Sequence, residues 1–290
     1  LKTRLSACLL AGLLFAGCSG KHRITVGSKN FTEQVILGEI VAQRLERSLG
    51  QKVDRRLNLG GTLLAQQALA NGQIDVYPEY TGTALTAVLK LPPSSSPAAV
   101  LEQVRRAYRR RWDLEWLDPL GFNNTFVLAV RGADARAEHL GTLSDAARRK
   151  KGWLLGAGYE FLTRPDGLPG LQNTYHLPLA GTPKTMDLGL LYRALEQNQV
   201  DMVAANGTDG MLSVLDVRIL ADDRHYFPPY QAALVVRLGA LRAWPAVRPA
   251  LAGLSGRISD QQMRRLNYEV DGKHRPVAEV AREFLAGLPK

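Results

Sequence analysis

Cysteine is nearly missing from this chain. There are two in 290 residues, at positions 8 and 18, and none beyond them. No disulfide can staple the body of the protein, and no thiolate there can act as nucleophile or metal ligand. Histidine is scarce too: the five (22, 139, 176, 225 and 274) lack the short spacings that hold a metal ion, so no metal or cofactor is implied. No Ser-His-Asp, phosphate-loop or dinucleotide fingerprint occurs, and Glu79 and Asp209 sit in no recognised catalytic motif. These gaps argue against an enzyme, and no catalytic residue is assigned.

What is present begins at the N-terminus. Lys2 and Arg4 lead an apolar run, Leu5 to Phe15, which is too short to span a bilayer comfortably. Ala16 and Gly17 then precede Cys18, and the stretch resembles a bacterial lipoprotein signal. Residues 1–17 are expected to be removed and residues 18–23 to form a linker. Cys18 would be lipidated, giving a periplasmic protein held to the membrane by a lipid anchor. No later segment reaches membrane-spanning length. The chain carries 37 basic and 27 acidic residues, a net charge of +10. Taken alone, that excess suggests nucleic acid. An exported protein rarely meets it, so the charge reads as a general surface feature and no nucleic-acid partner is expected.

A chain of this length can hold two domains. "ITVGSKNFTEQVILGEIVAQRLE" (24–46) opens with a β-like run. Asn30 and Glu33 give a capping signature, and Ile36, Leu37, Ile40, Val41 and Leu45 follow at helical spacing. "GGTLLAQQALANGQIDVYPEY" reads as a helix closed by Asn71-Gly72 and then a strand. Ser96 and Pro97 open another helix, whose arginines at 105, 106 and 109 to 111 form a solvated face. Alternating strands and helices predict an α/β protein with largely parallel sheets. "ALANGQIDVYPEYTGT" from Ala68 and "ALEQNQVDMVAANGTDG" from Ala194 form a quasi-repeat that pairs Asp75 with Asp201 and Tyr80 with Asn206. Both aspartates read as structural. Two similar lobes would each present a loop at the carboxyl end of a strand, where ligands of open α/β sheets bind.

In "IDVYPEYTGTAL" (74–85) the proline is expected to end the strand, leaving Tyr80, Thr81 and Thr83 on a loop. An aromatic face beside hydroxyl donors suits a ligand with a quaternary ammonium and a carboxylate. The first has no N–H to donate and is recognised by ring quadrupoles; the second needs donors.

At this point the sequence resembles the substrate-binding proteins of ABC importers for glycine betaine, choline and carnitine, the osmoprotectant uptake group. The likeness is carried by "GSKNFTEQ" (27–34), "VYPEYTGTAL" (76–85), "GFNNTFVLAV" (121–130), "YEFLTRPDG" (159–167), "NGTDG" (206–210) and "DDRHYFPPYQAALVV" (222–236). The resemblance implies a two-lobed periplasmic-binding-protein fold of type II. Lobe one would be 24–123 plus 227–290 and lobe two 124–226, with crossings near "GFNNTF" and "HYFPPY". It implies a tyrosine cage for the cation, of which Tyr80 and Tyr230 are kept, Phe126 keeps the ring without the hydroxyl, and Asn206 has no ring. It implies a carboxylate clamp of Lys29, Thr83 and Arg164, with Asn124 lining the same cleft. The implied partners are a small-molecule ligand, an ABC permease and its ATPase, and the protein would be a monomer. The alternative is a ligand-sensing or scaffold lipoprotein of the same fold with no transport role.

Overall fold

The structure, a computed structural model, describes residues 23–288; the expected signal segment 1–17 and Cys18 lie outside them. Ten strands form two sheets of five. They are β1 (Thr25–Gly27), β2 (Asp54–Arg56), β3 (Val76–Tyr80), β4 (Leu114–Trp116), β5 (Phe126–Arg131), β6 (Leu155–Ala157), β7 (Lys184–Thr185), β8 (Met202–Asn206), β9 (Val217–Leu220) and β10 (Ala232–Arg237). The first sheet runs β2-β1-β3-β10-β4 and the second β7-β6-β8-β5-β9. Each is therefore completed by a strand that follows a crossing from the other lobe.

Those crossings correct the expectation of largely parallel sheets. β1 pairs in parallel with β2 and β3, but β10 runs antiparallel to both β3 and β4. The second sheet repeats this, with β5 antiparallel to β8 and β9. The cause is where the chain re-enters. β3 ends at Tyr80, opposite the first residue of β10, Ala232; β8 ends at Asn206, opposite the first residue of β5, Phe126. A chain arriving from the other lobe enters at the edge where β3 and β8 finish, so it can only run back against them.

Helices cover both faces of each sheet. Thr32–Leu49 buries the expected stripe of Ile36, Leu37, Ile40, Val41 and Leu45 and ends on Gly50, whose φ of 63° suits glycine. It packs with Met263 and Leu266 of Asp260–Asp271 and with Val280 and Phe284 of Val277–Ala286. The opposite face holds Leu69 of Thr62–Ala70 and Val100, Val104 and Tyr108 of Pro97–Trp112. The helix Pro97–Trp112 starts as read, with the Ser96 hydroxyl accepting from the Ala99 N–H. Two expectations fail locally. Thr32–Leu49 is preceded by Phe31, which has no side-chain acceptor to cap it, and the Glu33 carboxylate is turned into the interior. Pro78 does not end β3; it pairs opposite Leu234, and the strand continues to Tyr80.

The quasi-repeat has a structural counterpart. Asp75 accepts from the Thr25 N–H at the head of β1 and from Arg237 at the end of β10. Asp201 accepts from the Leu154 N–H just before β6 and from Arg131 at the end of β5. Each aspartate thus ties three strands of its sheet at the end away from the cleft.

A cleft between the two sheets

The carboxyl ends of β3 and β8 open into one cleft of about 1780 Å³. All eight residues expected to form a site line it: Lys29, Tyr80, Thr83, Asn124, Phe126, Arg164, Asn206 and Tyr230. They come from six separate stretches, and the topology gathers them. Lys29 follows β1, Tyr80 ends β3, and Thr83 lies in the helical turn Thr81–Thr83. Asn124 and Tyr230 sit on the two crossings, which are stitched together. The Asn124 N–H donates to the Tyr230 carbonyl, and the Tyr230 N–H donates to Asn123 Oδ1 at 2.6 Å. Phe126 and Asn206 face each other across the β5–β8 pair.

The cations and the rings are interleaved rather than held at opposite ends. Lys29 Nζ lies 5.2 Å from the Tyr80 ring centre, and the Arg164 guanidinium lies 5.1 Å from Phe126 and 5.9 Å from Tyr230. Both cations also have buried carboxylate partners. Lys29 Nζ donates to Glu79 Oε1 at 2.5 Å and to Thr62 Oγ1 at 3.1 Å. Arg164 grips Asp166 through Nε at 2.9 Å and through its second amino group at 2.5 Å, and Tyr230 donates its hydroxyl to the same carboxylate. Burial works against the Arg164 charge, but its bonds to Asp166 outweigh that and hold its pKa above the ordinary value. Burial likewise works against the Asp166 anion, and Arg164 keeps it ionised, below the usual carboxylate range. Thr83 is buried, and among the described residues no hydrogen bond engages its hydroxyl.

Sequence reasoning missed the carboxylates of this cleft. Glu33 is buried and accepts from Tyr80, Asn124, Thr208 and Asn267, all within 3.0 Å. Burial raises its pKa and those four bonds oppose the rise. Asp209 accepts from Tyr192 and the Asn206 N–H, and burial pushes it up to about 7. Among the described residues neither Glu33 nor Asp209 makes an ion pair, whereas Glu79, Glu160 and Asp166 all do. A carboxylate desolvated without a cation is unfavourable. A cation placed near Asn206 would favour the ionised form of Asp209, which accepts from the Asn206 N–H. Among the described residues the Asn206 side-chain amide makes no hydrogen bond. Glu33, three residues after Asn30, reads as part of a cap, and Glu79 and Asp209 sit in no catalytic motif, so none of the three points to a binding cleft in the sequence.

Two sheets facing one cleft, with cationic, aromatic and anionic side chains converging on it, make a site for binding a small charged molecule. The family described as the substrate binding domain of ABC-type glycine betaine transport systems matches residues 22–287. The chain belongs to this family. It is thus a substrate-binding protein of ABC transport, extracytoplasmic by family, and works with an ABC transporter rather than as a sensor or scaffold. A glycine-betaine-binding protein of Pseudomonas aeruginosa is 36% identical over 293 residues, covering 97% of this chain and 93% of its own. The carnitine transport binding protein OpuCC of Listeria monocytogenes is 34% identical over 283 residues, covering 97% and 91%. A crystal structure described as a glycine betaine/carnitine/choline ABC transporter superposes with a TM-score of 0.75 at 33% identity, covering 91% of this chain and 97% of that one. The binding protein shares with these relatives an α/β fold of two lobes around a ligand cleft. Among the described residues no helix is long and apolar enough to cross a membrane.

Proposed function

We propose that this protein captures a small quaternary-amine solute, of the glycine betaine, carnitine and choline class, and delivers it to the permease and ATPase of its importer. The observation that carries this reading is the set of three rings in the cleft, Tyr80, Phe126 and Tyr230, together with two carboxylates, Glu33 and Asp209, that make no ion pair among the described residues. A ring face contributes roughly 0.5–1 kcal/mol to holding a cation and ~2 when desolvated, so three rings add several-fold to tens-fold each to affinity. Asn206 takes the fourth place around the cation, and Asn124 lines the wall. Lys29, Thr83 and Arg164 are the cleft donors that would face a ligand carboxylate, and Lys29 and Arg164 would do so while holding Glu79 and Asp166.

The protein acts as a monomer, with residues 24–123 and 227–290 as one lobe and 124–226 as the other, and it is held to the membrane through lipidated Cys18. A diacylglyceryl adduct on Cys18 in the mass spectrum of the membrane-extracted protein checks the anchor. Calorimetric titration with glycine betaine, carnitine and choline tests the function. Binding of at least one of them is expected, and Arg164→Ala should weaken glycine betaine by on the order of 1.5–3 kcal/mol. Failure of all three to bind would overturn the ligand class.

A further inference from the structure

We infer that Glu160 is a specificity-determining residue. It supplies from the protein itself the carboxylate that joins the two lobes beside Lys29 and Arg164, so a cationic ligand needs no carboxylate of its own. The inference rests on the quaternary-amine reading and says which members of that class the cleft favours.

Glu160 belongs to the second lobe, yet its best partners belong to the first. Its Oε1 accepts from the Thr62 N–H at 2.6 Å and its Oε2 from the Thr62 hydroxyl at 2.9 Å. Thr62 is the first residue of the nine-residue helix Thr62–Ala70, where an N–H has no partner within the helix and the dipole favours an anion. The residue before it is Gly61, on which a Cβ would stand 2.7 Å from Glu160 Oε1. A side chain there would hold the carboxylate off. From its own lobe Arg164 donates to Oε2 at 3.3 Å, and Lys29 reaches the same Thr62 hydroxyl from behind. Burial works against the Glu160 charge, but Lys29 and Arg164 outweigh it and hold the carboxyl below its ordinary range.

One backbone N–H, one hydroxyl and one guanidinium, backed by an ammonium, are the donors that a ligand carboxylate would seek. Glu160 already engages them. The charges agree: Lys29 and Arg164 are matched by three carboxylates, Glu79, Glu160 and Asp166. A ligand carboxylate entering here either adds a fourth anion beside two cations or displaces Glu160 and breaks its bonds to Thr62. A cation without a carboxylate does neither, and it leaves the contact between the lobes intact.

Choline and glycine betaine share a trimethylammonium head and differ in the carboxylate, so the ratio of their dissociation constants isolates this residue. Both are titrated calorimetrically into the wild-type protein, Glu160→Gln and Glu160→Ala; the glutamine keeps the shape if the alanine fails to fold. The expected result is a shift of the ratio toward glycine betaine of at least tenfold in each folded variant. A ratio unchanged within threefold, with both ligands weakened alike, overturns the inference and leaves Glu160 as a strut. If the wild type binds neither ligand nor carnitine, the quaternary-amine reading itself falls, and this inference with it.

Discussion

At the scale of single residues, the corner formed by Asn206 and Asp209 decides how a cation is held. Asn206 stands where its quasi-repeat partner Tyr80 supplies a ring, and its amide carbonyl accepts hydrogen bonds that a trimethylammonium cannot give. Asn206→Tyr should restore a π face worth about 0.5–2 kcal/mol, tightening glycine betaine several-fold to tens-fold in calorimetry. Asp209 makes the site sensitive to pH. Burial raises its pKa to about 7, so near neutrality it is only part ionised, and a ligand cation beside it favours the anion. Binding should therefore release protons at pH 7, and affinity should climb between pH 6 and 8 and level off above. Titrations in buffers of different ionisation enthalpy measure the release, and Asp209→Asn should abolish it. Tyr80 and Thr83 were legible as a ring and a hydroxyl beside a turn, and the other candidate positions came from the family resemblance of short motifs. The carboxylates were not. Glu33 meets Tyr80 and Thr208 across 47 and 175 residues, and Glu160 meets Thr62 across 98. Locally each looks like a capping or surface acid.

At the scale of elements, the two sheets are held by equivalent devices at their far ends. Asp75 bonds a β1 amide and an arginine closing β10, and Asp201 does the same beside β6 and at the end of β5. Asp75 is buried, so Asp75→Ala strands a β1 amide and one end of Arg237. It should lower unfolding free energy by about 1–3 kcal/mol in urea denaturation, with the affinity of the distant cleft little changed. Helix starts and stops such as Ser96-Pro97 and Asn71-Gly72 were readable, since capping is chemistry between near neighbours. Strand direction was not. Whether β10 runs with or against β3 depends on where the chain returns, some 150 residues later, and no local pattern of Ala232–Arg237 records it.

At the scale of the whole molecule, the lobes touch through Thr62 and Glu160 and through Glu33 and Thr208, while two stitched crossings join them. Ligand contacts to both walls would stabilise a closed arrangement by their preference for it over an open one. The crossings also fix an order of assembly. Every strand of the second sheet lies within residues 126–220, but the first sheet needs β10, which begins at Ala232. Until β10 arrives, β4 has no neighbour and β3 lacks one side. The lobe begun second can thus be finished first, during synthesis or after export. Residues 124–226 made alone should unfold cooperatively by circular dichroism, whereas residues 24–123 should show no such transition. The first lobe must wait, open along the middle of its sheet, for the last quarter of the chain.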